Sequence, residues 1–102
     1  MEVSDKMLVL ITYDVNTETP QGRRRLNRIA KKCVEFGQRV QNSVFECLLD
    51  PAQYKELEAE LVMMMDVQKD SLRFYNLGEK YATKIEHFGI KGTYDPEGLL
   101  VL

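Results

Sequence analysis

The sequence lacks most of the residues from which small metal-binding domains and hydrolytic triads are built. It has one histidine, two cysteines and no tryptophan among 102 residues. Cys33 and Cys47 have no C-x-x-C spacing and fall on apolar positions, which predicts buried, reduced thiols. A zinc finger and a Cys/His-rich metal site are therefore excluded. No Ser-His-Asp or Cys-His arrangement can be read, and the scattered glycines form no phosphate-binding loop.

Long apolar runs are also missing. The only extended one, Met7–Tyr13, is too short to cross a bilayer and has no signal-peptide cleavage site. We therefore expect a cytoplasmic protein with no membrane partner. With 44% hydrophobic residues, the chain can bury a core without disulfides or metal.

Positive charge is concentrated in one segment. The chain has a net charge of −2, yet Gln21–Val40 contains seven cations and one anion. Solvated faces usually mix both signs, so this imbalance favours a polyanion-binding surface. Contacts of this kind give salt-dependent, sequence-independent affinity for a nucleic-acid backbone. The residues expected to make them are Arg23, Arg24, Arg28, Lys31, Lys32 and Arg39.

Hydrophobic periodicity and turn signals predict the order β-α-β-β-α-β. Thr19-Pro20 and Asp50-Pro51 read as helix starts, and Gly37 as the end of the first helix. This order is the α+β, ferredoxin-like pattern, an antiparallel sheet with both helices on one face. We expect this core domain to span residues 1–78. Residues 79–102 form a C-terminal extension, with a further strand predicted at Lys84–Phe88.

One face of the predicted sheet has no helix to cover it. Phe45, Tyr75 and Leu77 are candidates for its apolar residues, which need a covering partner. We expect a homodimer packed sheet to sheet. The C-terminal extension would pack on the partner and add a strand to the partner's sheet edge.

Asp14 is the leading candidate for chemistry, because it stands where a buried central strand reaches the surface. A lone carboxylate there commonly caps a turn. A two-fold dimer, however, presents a residue near its axis twice. Two Asp14 side chains would then share one Mg²⁺ and a scissile phosphate, with the metal activating water. Ser43 would donate a hydrogen bond nearby.

Three features in order carry a family resemblance: Tyr13-Asp14-Val15, the Arg-rich first helix, and the segment 37–46 with the sequence GQRVQNSVFE. Over Met7–Leu77 the chain resembles the CRISPR-associated protein 2 family, the small subunit of the spacer-acquisition complex. The resemblance implies a homodimer that bridges CRISPR integrase dimers and helps hold duplex protospacer DNA. It also implies a nuclease acting on single-stranded RNA or on DNA, with Mg²⁺ or Mn²⁺ at Asp14. Arg39 and Phe45 match further residues of the family's motif.

Three functions stay open on these grounds. The chain is a Mg²⁺-dependent phosphodiesterase with paired Asp14 residues, or an architectural dimer in which that pair has no biological role. A small-molecule sensor dimer is the third, and the basic helix counts against it because a sensor needs a ligand pocket.

Overall fold

The sheet has the strand order and directions of the ferredoxin-like pattern. The computed structural model describes residues 5–90 of the 102-residue chain. The strands are paired in the order β2-β3-β1-β4, and every neighbouring pair is antiparallel. The elements are β1 (Met7–Asp14), α1 (Pro20–Cys33), β2 (Gly37–Gln41), β3 (Val44–Leu49), α2 (Pro51–Met64), β4 (Ser71–Asn76) and a 3₁₀ helix (Tyr81–Lys84). The predicted fold class is confirmed.

Both helices begin where the capping signals place them. The Thr19 side chain accepts a 3.0 Å hydrogen bond from the Gly22 amide at the start of α1. At α2 the Asp50 side chain accepts from the Gln53 amide at 2.8 Å, and the Gln53 side chain accepts from the Asp50 amide at 3.0 Å. These contacts satisfy amides that have no partner within a helix.

Gly37 has a different role from the one its position suggests. Helix α1 ends at Cys33, and Gly37 is the first residue of β2. A Cβ atom there would lie 1.9 Å from the Glu46 carbonyl oxygen of β3, so a side chain has no room between the paired strands. Gly22 is constrained in the same way, since its Cβ would lie 1.8 Å from the Asn16 carbonyl oxygen. The loop between β1 and α1 therefore packs directly on the first turn of α1.

The core lies between the sheet and the two helices. Strand residues that alternate onto this face meet apolar residues of both helices. The fully buried members are Val9, Ile11, Phe45, Cys47, Leu49, Ile29, Cys33, Leu57 and Leu61. Both cysteines are buried and free, as predicted. Phe45 was expected on the uncovered face; that expectation is wrong, because Phe45 shares the helix-facing side of β3 with Cys47 and Leu49.

The opposite face of the sheet, called the open face below, is only partly covered. Leu10, Val44 and Leu48 are half-buried there, and the Tyr75 side chain is 40% exposed. Within the described residues, no helix is long and apolar enough to span a membrane.

The strand predicted at Lys84–Phe88 is absent from the described chain. Lys84 closes the 3₁₀ helix, and Ile85 has extended backbone angles (φ −123°, ψ 125°) without pairing to any described strand. Extended residues become a strand only when a neighbouring ladder satisfies their backbone groups. The remainder of the predicted extension, residues 91–102, lies outside the described residues, so its packing on a partner stays a prediction.

Candidate functional site

Asp14 is the last residue of β1 and is exposed. Its even position in the strand places it on the open face with Thr12 and Leu10. Asp14 pairs with Ser71 of β4, and on the other side the Tyr13 amide donates to the Ser43 carbonyl at 2.9 Å. Among residues 5–90, the Asp14 carboxylate has no hydrogen-bond or ion-pair partner. The carboxylate is therefore held by a central strand and is free to accept a ligand.

The described part of one chain holds no complete metal site at this position. Residues 5–90 contain no cluster of three or more histidine, cysteine or acidic side chains. Mg²⁺ is usually held by one or two carboxylates, with water and substrate phosphate completing the shell. An exposed, unpartnered carboxylate on an uncovered sheet face fits one half of such a site.

A buried carboxylate that no sequence motif marks, Asp70, lies at this end of the sheet on the side of the helices. The Asp70 side chain is fully buried and accepts four hydrogen bonds. The Tyr13 hydroxyl donates to Oδ2 at 2.8 Å, as does the Asp66 amide at 2.9 Å. The Arg25 guanidinium donates through Nε to Oδ2 at 2.8 Å and through Nη2 to Oδ1 at 3.1 Å.

These contacts decide the charge state of the network. Burial alone would raise the pKa of Asp70, but hydrogen bonds from Arg25, the Asp66 amide and Tyr13 outweigh it, so the net pKa is lowered. The pKa of Tyr13 is raised by burial and by its bond to the Asp70 carboxylate. The hydrogen bond from Arg25 to Asp70 likewise raises the pKa of Arg25. The network is therefore an ionised acid held by a cation and a neutral phenol.

One sequence signal does point to this network. Arg25 precedes the buried Ile29 by four residues, so it lies on the apolar stripe of α1 rather than on the solvent side. A cation in that position needs a buried acid as its partner. The sequence alone does not say which acid, since Asp70 is 45 residues away.

The predicted cations of α1 fall into two groups. Arg23, Arg24, Arg28 and Lys31 are exposed, and Arg23 donates through Nη1 to the Thr17 carbonyl at 3.0 Å. Lys32 is paired with Glu60 at 3.1 Å and with Glu35 at 3.5 Å. The bond to Glu60 is the main reason that its pKa is raised. Its charge is thus neutralised locally, which leaves the exposed cations as the basic surface.

Arg39, Phe45 and Ser43 lie around the turn between β2 and β3. The Arg39 guanidinium carbon is 5.5 Å from the centre of the Phe45 ring, and Nε donates to the Asn42 carbonyl at 2.7 Å. Phe45 therefore supports Arg39 from the core and has no exposed surface of its own. Because Ser43 pairs with Tyr13, this turn borders the Asp14 end of the sheet.

Comparison with known proteins identifies the family. The family model described as "CRISPR associated protein Cas2" matches residues 7–85, a range that includes Asp14, α1, Arg39 and Asp70. The chain belongs to the Cas2 family. This confirms the resemblance that the motifs indicated.

Relatives within the family cover nearly the whole chain. A protein of Nitratidesulfovibrio vulgaris named CRISPR-associated endoribonuclease Cas2 is 59% identical over 99 residues, or 97% of both chains. A Cas2 of Halalkalibacterium halodurans named as an endonuclease is 54% identical, covering 93% of this chain and 99% of its own. Among solved structures, Streptococcus pyogenes Cas2 superposes with a TM-score of 0.73 at 53% identity, covering 81% of this chain and 100% of its own. A chain of a partial Cas6-RT-Cas1–Cas2 complex shares the Cas2 fold at 22% identity and a TM-score of 0.62, covering 94% of this chain and 95% of its own.

Proposed function

We propose that the protein is a CRISPR-associated endonuclease that cleaves phosphodiester bonds in RNA or DNA at Asp14, with one Asp14 from each subunit of a homodimer. The observation that carries this proposal is the unpartnered Asp14 carboxylate at the end of a central strand. The names of the relatives support it, since they are called endoribonucleases or endonucleases.

The homodimer is part of the proposal. The half-buried residues of the open face, Leu10, Val44 and Leu48, would be covered by the same face of a second copy. An interface of this kind is isologous, so residues near its axis face their own copies. Asp14 shares this face, which is how a single carboxylate per chain would become a pair.

The chain's own residues have separate roles in the proposed reaction. The Asp14 carboxylates would hold Mg²⁺ or Mn²⁺, which when bound supplies Lewis acidity and lowers the pKa of water. Arg24, Arg28 and Lys31 would bind phosphates of the nucleic acid, and the Ser43 hydroxyl would hydrogen-bond near the scissile group.

The test is Asp14→Asn in a highly purified preparation, assayed with Mg²⁺ on single-stranded RNA, single-stranded DNA and duplex DNA. Loss of a metal ligand should lower cleavage by at least about 100-fold. Glu56→Gln, an exposed acid on α2, is the matched control and should cleave like the wild type. Undiminished cleavage by the Asp14→Asn variant would assign the activity to a contaminant and end the nuclease proposal.

A second function, an architectural dimer that holds duplex protospacer DNA and bridges integrase subunits, is favoured by the exposed cations of α1. Arg24, Arg28 and Lys31 follow one side of the helix at steps of four and three residues. The proposed partnership with an integrase rests on membership of the family. The partial Cas6-RT-Cas1–Cas2 complex is only 22% identical to this chain and therefore supports the fold alone. The extension, residues 79–102, is the proposed contact for a partner subunit.

Charge reversal tests the architectural role. Arg24→Glu combined with Arg28→Glu should weaken duplex binding and reduce the dependence of log affinity on log salt by about 2 per chain. Lys55→Glu combined with Lys69→Glu makes the same change in charge away from α1 and should have little effect. An unchanged salt dependence in the Arg24→Glu, Arg28→Glu variant would overturn the proposed architectural role.

One further assay separates the two functions. If Asp14→Asn abolishes cleavage but leaves spacer acquisition intact, the protein acts in the cell as the architectural subunit. If acquisition is lost while duplex binding is retained, the nuclease is the biological activity.

A further inference from the structure

Asp70 is the one residue with a buried charged side chain among residues 5–90. Its carboxylate receives donors from three separate parts of the fold: Tyr13 of β1, Arg25 of α1 and the Asp66 amide of the loop after α2. A buried ion pair contributes little net stability compared with apolar packing, although removing one partner is costly. Net stability alone therefore does not explain the presence of this ion pair.

The network contacts the end of β1, which carries Asp14, and the start of β4, which pairs with it. Tyr13 precedes Asp14, and because side chains alternate along a strand, Tyr13 points toward the helices while Asp14 points to the open face. On the neighbouring strand, Ser71 pairs with Asp14, and Ser71 directly follows Asp70. Asp70 thus anchors one of these strand ends through the Tyr13 hydroxyl and the other through its own backbone.

We propose that Asp70 is a positioning residue for Asp14. Through Tyr13 and Arg25, it fixes the end of β1 relative to β4 and to the basic helix, so that Asp14 is held in the orientation that a metal ion requires. This inference rests on the proposed nuclease function and identifies the residues that would hold Asp14 in position. Shifts of about 1 Å in a reacting group can cost about 100-fold in rate, so a small relaxation at this strand end has a large effect.

A merely structural role makes a different prediction. In that case, loss of the network lowers the melting temperature, while the folded fraction keeps its full activity and metal affinity. The two roles separate when activity and metal binding are measured well below each variant's melting temperature.

The experiment uses Tyr13→Phe, which removes one hydroxyl and keeps the ring, and Asp70→Asn, which keeps the size of the side chain. Tyr54→Phe is the control, because the Tyr54 ring packs near Phe74 at a centroid distance of 6.1 Å and its hydroxyl has no described partner. Three quantities are measured on the full chain: kcat and KM for Mg²⁺-dependent cleavage, and the affinity for Mn²⁺ without nucleic acid.

We expect Tyr13→Phe to lower kcat and to weaken Mn²⁺ binding, each by about 10-fold, with KM for nucleic acid changed by less than about two-fold. Asp70→Asn should have a larger effect on kcat and on Mn²⁺ affinity. Tyr54→Phe should match the wild type in all three quantities.

Wild-type kcat and Mn²⁺ affinity in Tyr13→Phe would overturn the inference, even if its melting temperature fell. Should Asp70→Asn fail to fold, Tyr13→Phe alone decides the matter. If the wild-type protein itself does not cleave, the nuclease proposal fails. The Mn²⁺ titration still tests the positioning role, because unchanged affinity in Tyr13→Phe contradicts it and weakened affinity supports it.

Discussion

Two carboxylates lie at the same end of the sheet in opposite surroundings. Asp14 is exposed on the open face and has no partner among residues 5–90. Asp70 lies on the side of the helices with no exposed side-chain surface and accepts four hydrogen bonds. The difference shows that the surroundings of an aspartate, rather than its residue type, determine its role. The carboxylate without a partner is available to a ligand, whereas the carboxylate with four hydrogen bonds is committed to the residues around it.

The same contrast appears between adjacent cations of α1. Arg24 is exposed, whereas the Arg25 side chain is 15% exposed and committed to Asp70. One step along a helix turns the side chain by about 100°. A run of three arginines therefore serves both the solvent side and the core, and only the solvent side is available to a nucleic acid.

The largest effect on stability should come from Asp70→Ala. Removing this acid leaves Arg25 and the Tyr13 hydroxyl without a partner, so we expect the free energy of unfolding to fall by about 3 kcal/mol. Urea denaturation followed by circular dichroism measures the change, with exposed Asp5→Ala as the control. A loss of less than about 1 kcal/mol would mean that water replaces the carboxylate as the partner of Arg25 and Tyr13. Asp70 and Asp14 would then differ less in their contribution to stability than their burial implies.

Acid should remove the same contribution without mutation. The pKa of Asp70 is lowered in the folded protein, so its contribution is complete above the unfolded value of about 3.9 and is lost as the pH falls through the folded value. The stability difference between the wild type and Asp70→Asn should therefore stay constant from pH 6 to about pH 4 and narrow below it, in a series of urea unfolding curves covering about pH 6 to 2. The difference between the wild type and Glu56→Gln should show no such trend; a constant gap for Asp70→Asn would contradict the lowered pKa.

Tyr13→Phe should have a moderate effect, because it removes one hydrogen bond to an ion that keeps its other three donors. We expect a loss of about 1 kcal/mol in the free energy of unfolding. Tyr54→Phe removes a hydroxyl without a described partner and should change stability by less. Equal losses in the two variants would show that the Tyr13 hydroxyl contributes nothing specific.

The smallest effect should come from Asp14→Asn. Because the carboxylate has no partner in the described chain, the free energy of unfolding should stay within about 0.5 kcal/mol of the wild type. If two copies face each other in a dimer, the neutral amide also removes a repulsion, and sedimentation should show equal or tighter association. Weaker association would mean that Asp14 has a stabilising contact across the interface.

Local patterns were enough to predict much of the fold. Caps at Thr19 and Asp50, the apolar stripes and the alternation of β3 predict elements that the structure confirms. Gly37 was misread because a glycine after a helix resembles a C-terminal cap, whereas its reason is the close approach of the Glu46 carbonyl across the hairpin. That contact depends on strand pairing, which no local pattern describes.

The candidate site was only half predictable. Asp14 stands out because a charge ends an apolar strand. The role of Asp70 depends on contacts with Tyr13, 57 residues away, and with Arg25, 45 residues away. Such contacts exist only after the helices pack on the sheet. Phe45 was misplaced for a related reason, since its motif marks it as special but does not say which face it occupies.

The tight approach of Gly22 to Asn16 has a consequence for genetic screens. Any side chain at position 22 would collide with the Asn16 carbonyl, which would have to move and pull the end of β1 away from α1. Under the proposed nuclease function, a screen for loss of cleavage should therefore recover substitutions at Gly22 as well as at Asp14. The two classes would differ in cellular protein level, which falls for Gly22 variants and stays normal for Asp14 variants.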